Sequence, residues 1–275
     1  MPIIRTPDIP GIAEGITAHN SVASLLLPHD EGRKSFSERI FLSGRASSAL
    51  DLAHYLAEQG QLDVWDSVLV GAQWAGRGQL RRHWVSSPGN LFAAWRLPLV
   101  PRPWQNMVSV LVGWVLCLGL RDMGFRAELK WPNDLLLNDK KVGGILIEER
   151  GPIMLAGIGL NCVSMPDESL LRKEKACAAG CLEGVPAGLS IFGLWLRLVN
   201  FGRLRYSATL SGSSPLEFSQ SLETVLAYLG TPVCVADNRS SVCGVLSGVS
   251  PDGGVVLRQG RQKSVVHSGS LCPVR

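Results

Sequence analysis

Residues 130–148 read KWPNDLLLNDKKVGGILIE, and this run organises the interpretation of the rest of the chain. Pro132 fixes its own φ and pushes the preceding tryptophan into an extended conformation. Lys130 is therefore expected on or just after a strand, not inside a helix. The three leucines at 135–137 then predict a short buried strand.

A turn and a second strand follow. Residues 138–141, Asn-Asp-Lys-Lys, are typical of a turn, and residues 142–147 predict a strand. Gly143 and Gly144 weaken that strand unless another group passes close to its backbone. The predicted hairpin thus brings Lys130, an Asn-Asp pair and bare backbone together, which suits a ligand with an apolar and an anionic part. The alternatives are a solvated lysine and a simple β-bulge.

A glycine-rich basic loop forms the second motif, QWAGRGQLRRHWVSSPGN at residues 73–90. Glycines at 76 and 78 allow backbone N–H groups to point at an anion. Arg77, Arg81 and Arg82 offer fork-shaped donors that match phosphate or carboxylate oxygens. Neither the Walker A order nor the G-x-G-x-x-G pattern is met. A flexible basic loop is the alternative, but a tryptophan at 84 favours an ordered, packed loop.

The remaining pattern predicts alternating helices and strands. Helical spacing over 49–57 follows the candidate caps Ser43, Ser47 and Ser48 and ends at Gly60. The further predictions are strands at 67–72, 90–95, 127–129 and 153–161, a core helix at 107–120, and helices at 189–206 and 215–229.

The C-terminal 45 residues have a different sequence pattern from the rest of the chain. Four short strands, at 232–235, 241–249, 255–258 and 264–267, alternate with tight turns, which is typical of a small β-barrel.

Residues 1–37 show no sustained helical or strand period of apolar residues and predict an irregular arm. The run at 107–120 has only 14 residues, whereas a membrane span needs about 20.

Composition restricts the class of protein. The chain has 275 residues, 46% apolar and 18% charged, with a net charge of +4, so a sizeable core is expected. The basic residues form no dense block with interleaved aromatics, so nucleic acid binding is not required. Seven cysteines occur without a C-x-x-C pair, which predicts buried, reduced thiols in a cytoplasmic protein. The N-terminus lacks the pattern of a signal peptide.

Taken together, these motifs resemble the biotin protein ligase family in order and approximate spacing. The matching motifs are Gly76-Arg77-Gly78, Trp84, Gly89-Asn90-Leu91, Lys130-Trp131-Pro132-Asn133-Asp134, Lys141-Val142-Gly143-Gly144-Ile145-Leu146 and Gly157-Ile158-Gly159-Leu160-Asn161. The related lipoate ligases share the fold and a similar lysine, but not this string.

The resemblance implies an α+β fold of the class II synthetase-like, biotin–lipoate ligase type. A mixed β-sheet with packed helices would form the catalytic domain at 38–228, after the arm at 1–37. An SH3-like β-barrel would occupy 229–275. A DNA-binding head needs more chain than the arm provides, so no specific DNA binding is expected. A homodimer is left open.

The resemblance also implies a reaction in two steps. Biotin and MgATP form biotinyl-5′-AMP and pyrophosphate, and a lysine of a biotin carboxyl carrier domain then attacks the mixed anhydride. The catalytic residues would be Lys130 and Arg77. The implied biotin-binding residues are Ser47, Ser48, Gln73, Gly76, Arg77, Gly78, Gln79, Trp84, Lys130, Gly143 and Gly144. The implied ATP-binding residues are Arg77, Arg81, Arg82, Asn90, Lys130, Asn133 and Asn161. Phosphate oxygens would carry Mg²⁺, without an assigned side-chain ligand.

Three departures from the family pattern are present. Gln79 and Arg81 stand where the family has an arginine and a glycine. The Ser-Thr-Asn opening is replaced by Ser48-Ala49-Leu50, or by Ser47-Ser48-Ala49 with a gap. Readier release of the adenylate is therefore expected. The alternative functions are a non-catalytic biotin- or nucleotide-binding paralogue, and a ligase for another acid such as lipoate or octanoate.

Overall fold

The structure is a computed structural model that describes residues 3–6, 9–14, 38–79, 82–166, 177–185, 188–237 and 240–274. Within these residues the strands are β1 (Ile3–Arg5), β2 (Ala13–Glu14), β3 (Ile40–Ala46), β4 (Ser67–Gln73), β5 (Leu91–Leu97), β6 (Glu128–Lys130), β7 (Asp134–Leu137), β8 (Lys140–Arg150), β9 (Ile153–Leu160), β10 (Pro232–Ala236), β11 (Ser241–Val249), β12 (Val255–Gln259), β13 (Gln262–Val266) and β14 (Ser270–Pro273). The helices are α1 (Ala49–Glu58), α2 (Val108–Asp122), α3 (Ile191–Gly212) and α4 (Pro215–Leu222), with a 3-10 turn at Arg102–Met107.

The chain divides into two compact units. The first unit consists of Met1–Leu99, Val142–Pro166 and Cys181–Val199. The second unit consists of Val100–Lys141, Asp167–Gly180 and Asn200–Arg275.

The first unit contains a mixed sheet covered by α1. Its strands follow the order β1-β3-β4-β5-β9-β8, with β2 paired to β3. Strands β3 and β4 are parallel, so their connection has to cross over the sheet, and α1 provides that crossover. The helix buries Leu50, Leu52 and Leu56 against Phe92 and neighbouring side chains of the sheet. The predicted mixed sheet with packed helices is confirmed.

Two features near the N-terminus differ from the pattern-based prediction. Ser43 was predicted as a helix cap, but it lies inside β3 and is fully buried. Strand β3 is buried along most of its length and so lacks the alternation that identifies a strand in sequence. Strands β1 and β2 lie within the predicted arm, whose residues 15–37 are outside the described residues.

The second unit contains the apolar helix α2 and the hairpin of β6 and β7. The 3-10 turn and α2 together give 21 residues, Arg102–Asp122, that are long and apolar enough to cross a membrane. However, 67% of the apolar 18-residue window within them is buried inside the fold. Such burial is typical of a core helix. Rings of Trp104 and Trp114 pack on Phe218 of α4 at centroid distances of 5.5 and 5.6 Å. Helix α4 is shorter than predicted and ends at Leu222.

A separate antiparallel sheet of the order β13-β12-β11-β10-β14 follows in the same unit. It corresponds to the predicted C-terminal β module, with one strand more than the four expected. The additional strand, β14, is short and ends on a proline, which obscures a strand pattern. The domain boundaries and the SH3-like classification stay predictions.

The prediction of uniformly reduced cysteines is wrong. Cys234 and Cys243, which face each other across β10 and β11, form a disulfide. Cross-strand partners in an antiparallel pair have neighbouring Cβ atoms, and this proximity is not visible in cysteine spacing alone.

Candidate functional site

Lys130 ends β6 and lies opposite Asp134 at the start of β7. Its Nζ donates a hydrogen bond to Asp134 Oδ2 at 2.9 Å. The second carboxylate oxygen, Oδ1, lies 2.5 Å from Nζ of Lys141. The side chains of Lys130 and Asp134 are only 7% and 14% exposed. One buried carboxylate thus binds two ammonium groups.

The electrostatics of this group keep Lys130 and Asp134 charged. Burial lowers the pKa of Lys130, but Asp134, Cys177 and Cys272 together raise it by more, so its pKa lies above the ordinary value. Burial raises the pKa of Asp134, and Lys141 and Lys130 together lower it by more. Lys130 is therefore a buried cation at neutral pH, which is the state that binds carboxylate or phosphate oxygens.

The turn between these two strands is anchored on both sides. The Trp131–Pro132 peptide bond is cis. Trp131 is buried, and its Nε1 donates to the Gly253 carbonyl oxygen at 2.9 Å. Ser109 Oγ donates to the Pro132 carbonyl oxygen at 3.1 Å. Asn133, predicted to bind ATP, is half-buried at the end of this turn.

In the first unit, the glycine-rich loop folds back on itself. Gly78 N donates to the Arg82 carbonyl oxygen at 2.8 Å, and Trp84 N donates to the Gly76 carbonyl oxygen at 2.9 Å. Gln79 is half-buried, and its carbonyl oxygen accepts from Arg82 N at 3.2 Å. Arg82 is exposed, whereas Arg81 lies outside the described residues. The described residues on either side of positions 80 and 81 are thus joined by backbone hydrogen bonds.

Arg77 makes contacts that the sequence did not predict. Its Nε donates to Glu148 Oε1 at 3.0 Å, and its Nη1 lies 2.7 Å from Asp51 Oδ1. Nη1 also donates to Ser48 Oγ at 3.2 Å. The guanidinium that was predicted to face phosphate is therefore bound to two carboxylates of its own unit.

Glu148 is the centre of this ion-pair network. Its Oε2 is 3.0 Å from Nε2 of the buried His54. The hydrogen bonds with His54 and then Arg77 lower the pKa of Glu148 from 4.5 to about 2, although burial opposes them. The network joins α1, the glycine-rich loop and β8.

The predicted biotin-binding serines and glutamine meet at the start of α1. Ser48 is the N-cap, and its Oγ accepts from Asp51 N at 3.0 Å. Ser47 Oγ donates to Asp51 Oδ2 at 2.9 Å. Gln73 Oε1 accepts from Ala49 N at 2.8 Å. The three side chains thus share one location.

Glycine backbone and an indole ring form the apolar part of the same unit. Gly144 of β8 lies opposite Gly159 of β9, and Gly143 lies opposite Leu160. A Cβ atom on Gly159 would lie 2.6 Å from the Trp84 ring. The Trp84 ring therefore lies directly on bare backbone. Gly76 is equally tight, since a Cβ there would lie 2.7 Å from Ser86 Oγ.

The two asparagines predicted to face adenine are both buried. Asn90 Oδ1 accepts from the backbone N of Cys162, Val163 and Ser164 at 2.9, 3.0 and 3.2 Å. Asn90 Nδ2 donates to the Ser164 carbonyl oxygen at 2.9 Å. Asn90 therefore organises the segment that follows Asn161.

Sequence reasoning missed Asp134, Lys141, Asp51, His54 and Glu148. Asp134 and Lys141 stood inside recognised motifs, and an acid beside two lysines was the available signal. Asp51, at the third position after the N-cap, was visible as a favourable charge at a helix start. No local signal identified His54 or Glu148, because their contact joins residues 94 positions apart.

Metal binding by side chains has little support in this region. Within the described ranges, His, Cys, Asp and Glu form no group of three or more that could hold a metal ion. The carboxylates of Asp134, Asp51 and Glu148 are bound to lysine or arginine.

Comparison with known proteins gives consistent similarities. The profile of the Biotin/lipoate A/B protein ligase family matches residues 51–163. A biotin–[acetyl-CoA-carboxylase] ligase of Paracoccus denitrificans is 30% identical over 229 residues, which cover 74% of this chain and 88% of that protein. The bifunctional ligase/repressor BirA of Escherichia coli (strain K12) is 28% identical over 219 residues, covering 74% of this chain and 65% of that protein.

A solved structure has a similar fold. It is a biotin protein ligase from Aquifex aeolicus in complex with biotin and ATP. The TM-score is 0.71 at 24% sequence identity, and the match covers 87% of this chain and 100% of the other. At this identity the similarity concerns the fold.

Proposed function

Because the chain belongs to the family of biotin–[acetyl-CoA-carboxylase] ligases, we propose that it joins biotin to a lysine of a biotin carboxyl carrier domain at the expense of ATP. A biotin carboxylate oxygen attacks the α-phosphorus of ATP, the bond to the β-phosphate breaks, and pyrophosphate leaves. The carrier lysine, as a neutral amine, then attacks the acyl carbon. An amide forms, AMP leaves, and the amine loses a proton.

Lys130 is the main catalytic residue in this proposal. Adenylation brings a carboxylate against a phosphate, so the repulsion between them has to be offset where charge develops. The buried, charged Nζ of Lys130 is the observation that carries the assignment. It supports simultaneous contact with the biotin carboxylate and the α-phosphate. No covalent enzyme intermediate is needed, because positioning and electrostatics supply the catalysis.

The glycine-rich loop is proposed to close over the nucleotide. The exposed Arg82, with Arg81, is assigned to the triphosphate. The contacts of Arg77 with Glu148 and Asp51 favour a role in holding this loop in place. Contact between Arg77 and phosphate would require these pairs to loosen. Gln79, in place of an arginine, supports faster escape of the adenylate.

The biotin ring is assigned to the start of α1 and the glycine pair of the sheet. The ureido group is assigned to the polar atoms of Ser47, Ser48 and Gln73. On binding, hydrogen bonds to the ligand replace the present hydrogen bonds of these side chains within the protein. Trp84 bounds the apolar side above the Gly144–Gly159 pair. Gly143, Gly76 and Gly78 complete this set through their backbone.

Asn161 and Asn133 are assigned to the nucleotide. Asn90 is proposed to act on this region indirectly, by fixing residues 162–164. MgATP is the nucleotide form, with Mg²⁺ bound by phosphate oxygens. A cytoplasmic location and a lack of specific DNA binding remain our proposals. Sedimentation of the purified protein tests for a homodimer.

The test is a carrier biotinylation assay. The purified protein is mixed with ATP, a biotin carboxyl carrier domain, and either biotin, lipoate or octanoate. Mass spectrometry then identifies the modified lysine. The proposal expects ATP-dependent modification with biotin and far less with the other acids. Binding of biotin without modification of the carrier would instead support the non-catalytic alternative. Faster modification with lipoate or octanoate would show that one of these acids, and not biotin, is the substrate.

A further inference from the structure

We propose that Glu148 and Asp51 are positioning residues for biotin binding, and that both act through Arg77. The two carboxylates hold the Arg77 guanidinium from two sides, and this arrangement is called the clamp below. The inference rests on the proposed function, because it concerns the pocket that was assigned there to the biotin ring. It assigns no contact between either carboxylate and a ligand.

The clamp uses different edges of one guanidinium group. Nε of Arg77 donates to Glu148 Oε1 at 3.0 Å, and Nη2 donates to Glu148 Oε2 at 3.3 Å. Nη1 lies 2.7 Å from Asp51 Oδ1. The side chains of Arg77, Asp51 and Glu148 are 27%, 29% and 19% exposed, so solvent screens these pairs less than it screens a surface ion pair. A planar fork that is bound on two edges cannot turn freely.

Glu148 is itself held from behind. Its Oε2 lies 3.0 Å from Nε2 of His54, whose side chain is only 3% exposed. The other ring nitrogen, Nδ1, is buried and has no hydrogen-bond partner among the described residues. Burying such a nitrogen costs stability, and the contact with Glu148 is the feature that an apolar side chain could not supply. Arg150 also reaches Oε2, at 3.2 Å, but it is 53% exposed, so it adds little.

The backbone of Arg77 passes the effect of the clamp to the wall of the proposed pocket. Arg77 forms an antiparallel bridge with His83, and Trp84 N donates to the Gly76 carbonyl oxygen at 2.9 Å. The Trp84 ring lies on Gly159, where a Cβ atom would be 2.6 Å from it. A displacement of Arg77 therefore displaces the chain that carries Trp84, and the apolar side of the pocket moves with it.

The clamp also joins the three segments to which the biotin ring is assigned. Asp51 belongs to α1, Arg77 to the glycine-rich loop and Glu148 to β8. Helix α1 otherwise packs on the sheet through apolar side chains, and apolar contacts are non-directional. The hydrogen-bonded ion pairs add direction to this packing. A pocket whose sides are fixed before the ligand arrives loses less freedom on binding, so its affinity is higher.

A double-mutant cycle on biotin affinity tests the inference. Calorimetric titration gives the Kd for biotin of the wild type, Glu148→Gln, Arg77→Gln and the double variant. Glu148→Gln should raise the Kd by about tenfold, within the range for residues of one hydrogen-bonded network. In the Arg77→Gln background the same change should raise the Kd by less than about twofold, because an effect exerted through Arg77 is lost with it. Independent, multiplying effects would overturn the inference.

The split between binding and chemistry separates positioning from a direct part in adenylation. At saturating biotin and ATP, pyrophosphate release by Glu148→Gln should stay within about threefold of the wild type, since the clamp touches no reacting group. A larger loss at saturation would contradict the inference. A lower KM for ATP in Glu148→Gln would also contradict it, because Arg77 would then be a phosphate ligand that Glu148 withholds.

Arg77→Lys tests whether geometry or charge is responsible. Lysine keeps the positive charge but lacks the planar fork that spans both carboxylates. The Kd for biotin should therefore rise by about tenfold in this variant too. Wild-type affinity in Arg77→Lys would show that charge alone is sufficient, and the clamp would be refuted.

Glu149→Gln is the matched control, since Glu149 is an exposed neighbour on β8, and it should bind biotin like the wild type. If Glu148→Gln does not fold, Asp51→Asn takes its place. The asparagine oxygen can still accept from Ser47, whereas the charge that faces Arg77 is lost. This variant should also raise the Kd, and an unchanged value would overturn the inference.

These measurements keep the inference apart from the proposed function. If the wild type neither binds biotin nor releases pyrophosphate with it, the proposed function fails. If the wild type binds biotin and modifies the carrier domain, but Glu148→Gln binds biotin as tightly, only the role of the clamp fails.

Discussion

At the scale of single residues, the network around Glu148 should make stability depend on pH. The pKa of Glu148 is lowered from 4.5 to about 2 by its hydrogen bonds with His54 and Arg77. A carboxylate with a lowered pKa in the folded state contributes stability that is present above its unfolded pKa. That contribution is lost as the pH falls toward the folded pKa.

We therefore expect wild-type protein to be more stable than Glu148→Gln at pH 7 and at pH 5. The difference should shrink between about pH 4.5 and pH 2. Urea unfolding across this range measures it. Glu149→Gln is the matched control, since Glu149 is an exposed neighbour on the same strand. A difference that does not change with pH would contradict the assignment.

Residue-level prediction succeeded where local chemistry was decisive. Lys130 was placed at a strand end from the proline two positions later, and Ser48 was recognised as a helix cap. The contacts of Arg77 with two carboxylates were not predicted, since a glycine-flanked arginine suits phosphate and carboxylate equally. Its actual partner, Glu148, is 71 positions away, and only the folded sheet brings the two together.

At the scale of elements, the β8–β9 glycine pair and Trp84 form one packing unit. A Cβ on Gly159 would lie 2.6 Å from the indole ring. Gly159→Ala should therefore displace Trp84 and cost about 1–3 kcal/mol of unfolding free energy, as overpacking does. Biotin affinity should fall as well, because the ring would no longer bound the proposed site. Urea unfolding and calorimetric titration with biotin measure the two effects.

Gly212→Ala is the control for this substitution. Gly212 ends α3, and a Cβ there would meet no atom within 4 Å. The control should be neutral or slightly stabilising, because alanine favours helix more than glycine does. Equal losses in both variants would show that the Trp84 contact is not responsible.

The elements themselves were largely predictable, with specific exceptions. Helix α1 and strands β4, β5, β7 and β9 followed from spacing, caps and short apolar runs. Strand β3 was missed because burial along most of its length removes the period of two. Strand β14 was missed because it has only four residues and ends with a proline.

The Cys234–Cys243 disulfide ties two strands of the C-terminal sheet. Replacing both residues with serine should lower the unfolding free energy by about 2–3 kcal/mol in non-reducing buffer, because the cross-link restricts the unfolded chain. With a reducing agent the wild type should drop to the level of the variant. Urea unfolding under both conditions measures this. A stability gap that persists in the reducing agent would show that the serines, and not the missing bond, cause the loss.

At the scale of the whole molecule, the order of the motifs along the chain was enough to predict the fold class and the reaction. The composition predicted a sizeable core, but it did not predict the division of the chain into two units. The predicted domain boundaries depended on the change near residue 230 from helical patterns to short strands with tight turns, and they stay predictions. Long-range charge pairing was the part least accessible from sequence, because it depends on which strands become neighbours.

The central claim is that the buried ammonium of Lys130 drives adenylation of biotin. The most direct measurement is biotin-dependent pyrophosphate release by Lys130→Ala. The control is Lys140→Ala, which changes an exposed lysine at the start of β8. We expect Lys130→Ala to lose about 100-fold or more in rate while biotin still binds, and Lys140→Ala to match the wild type. Unchanged pyrophosphate release by Lys130→Ala would contradict the account.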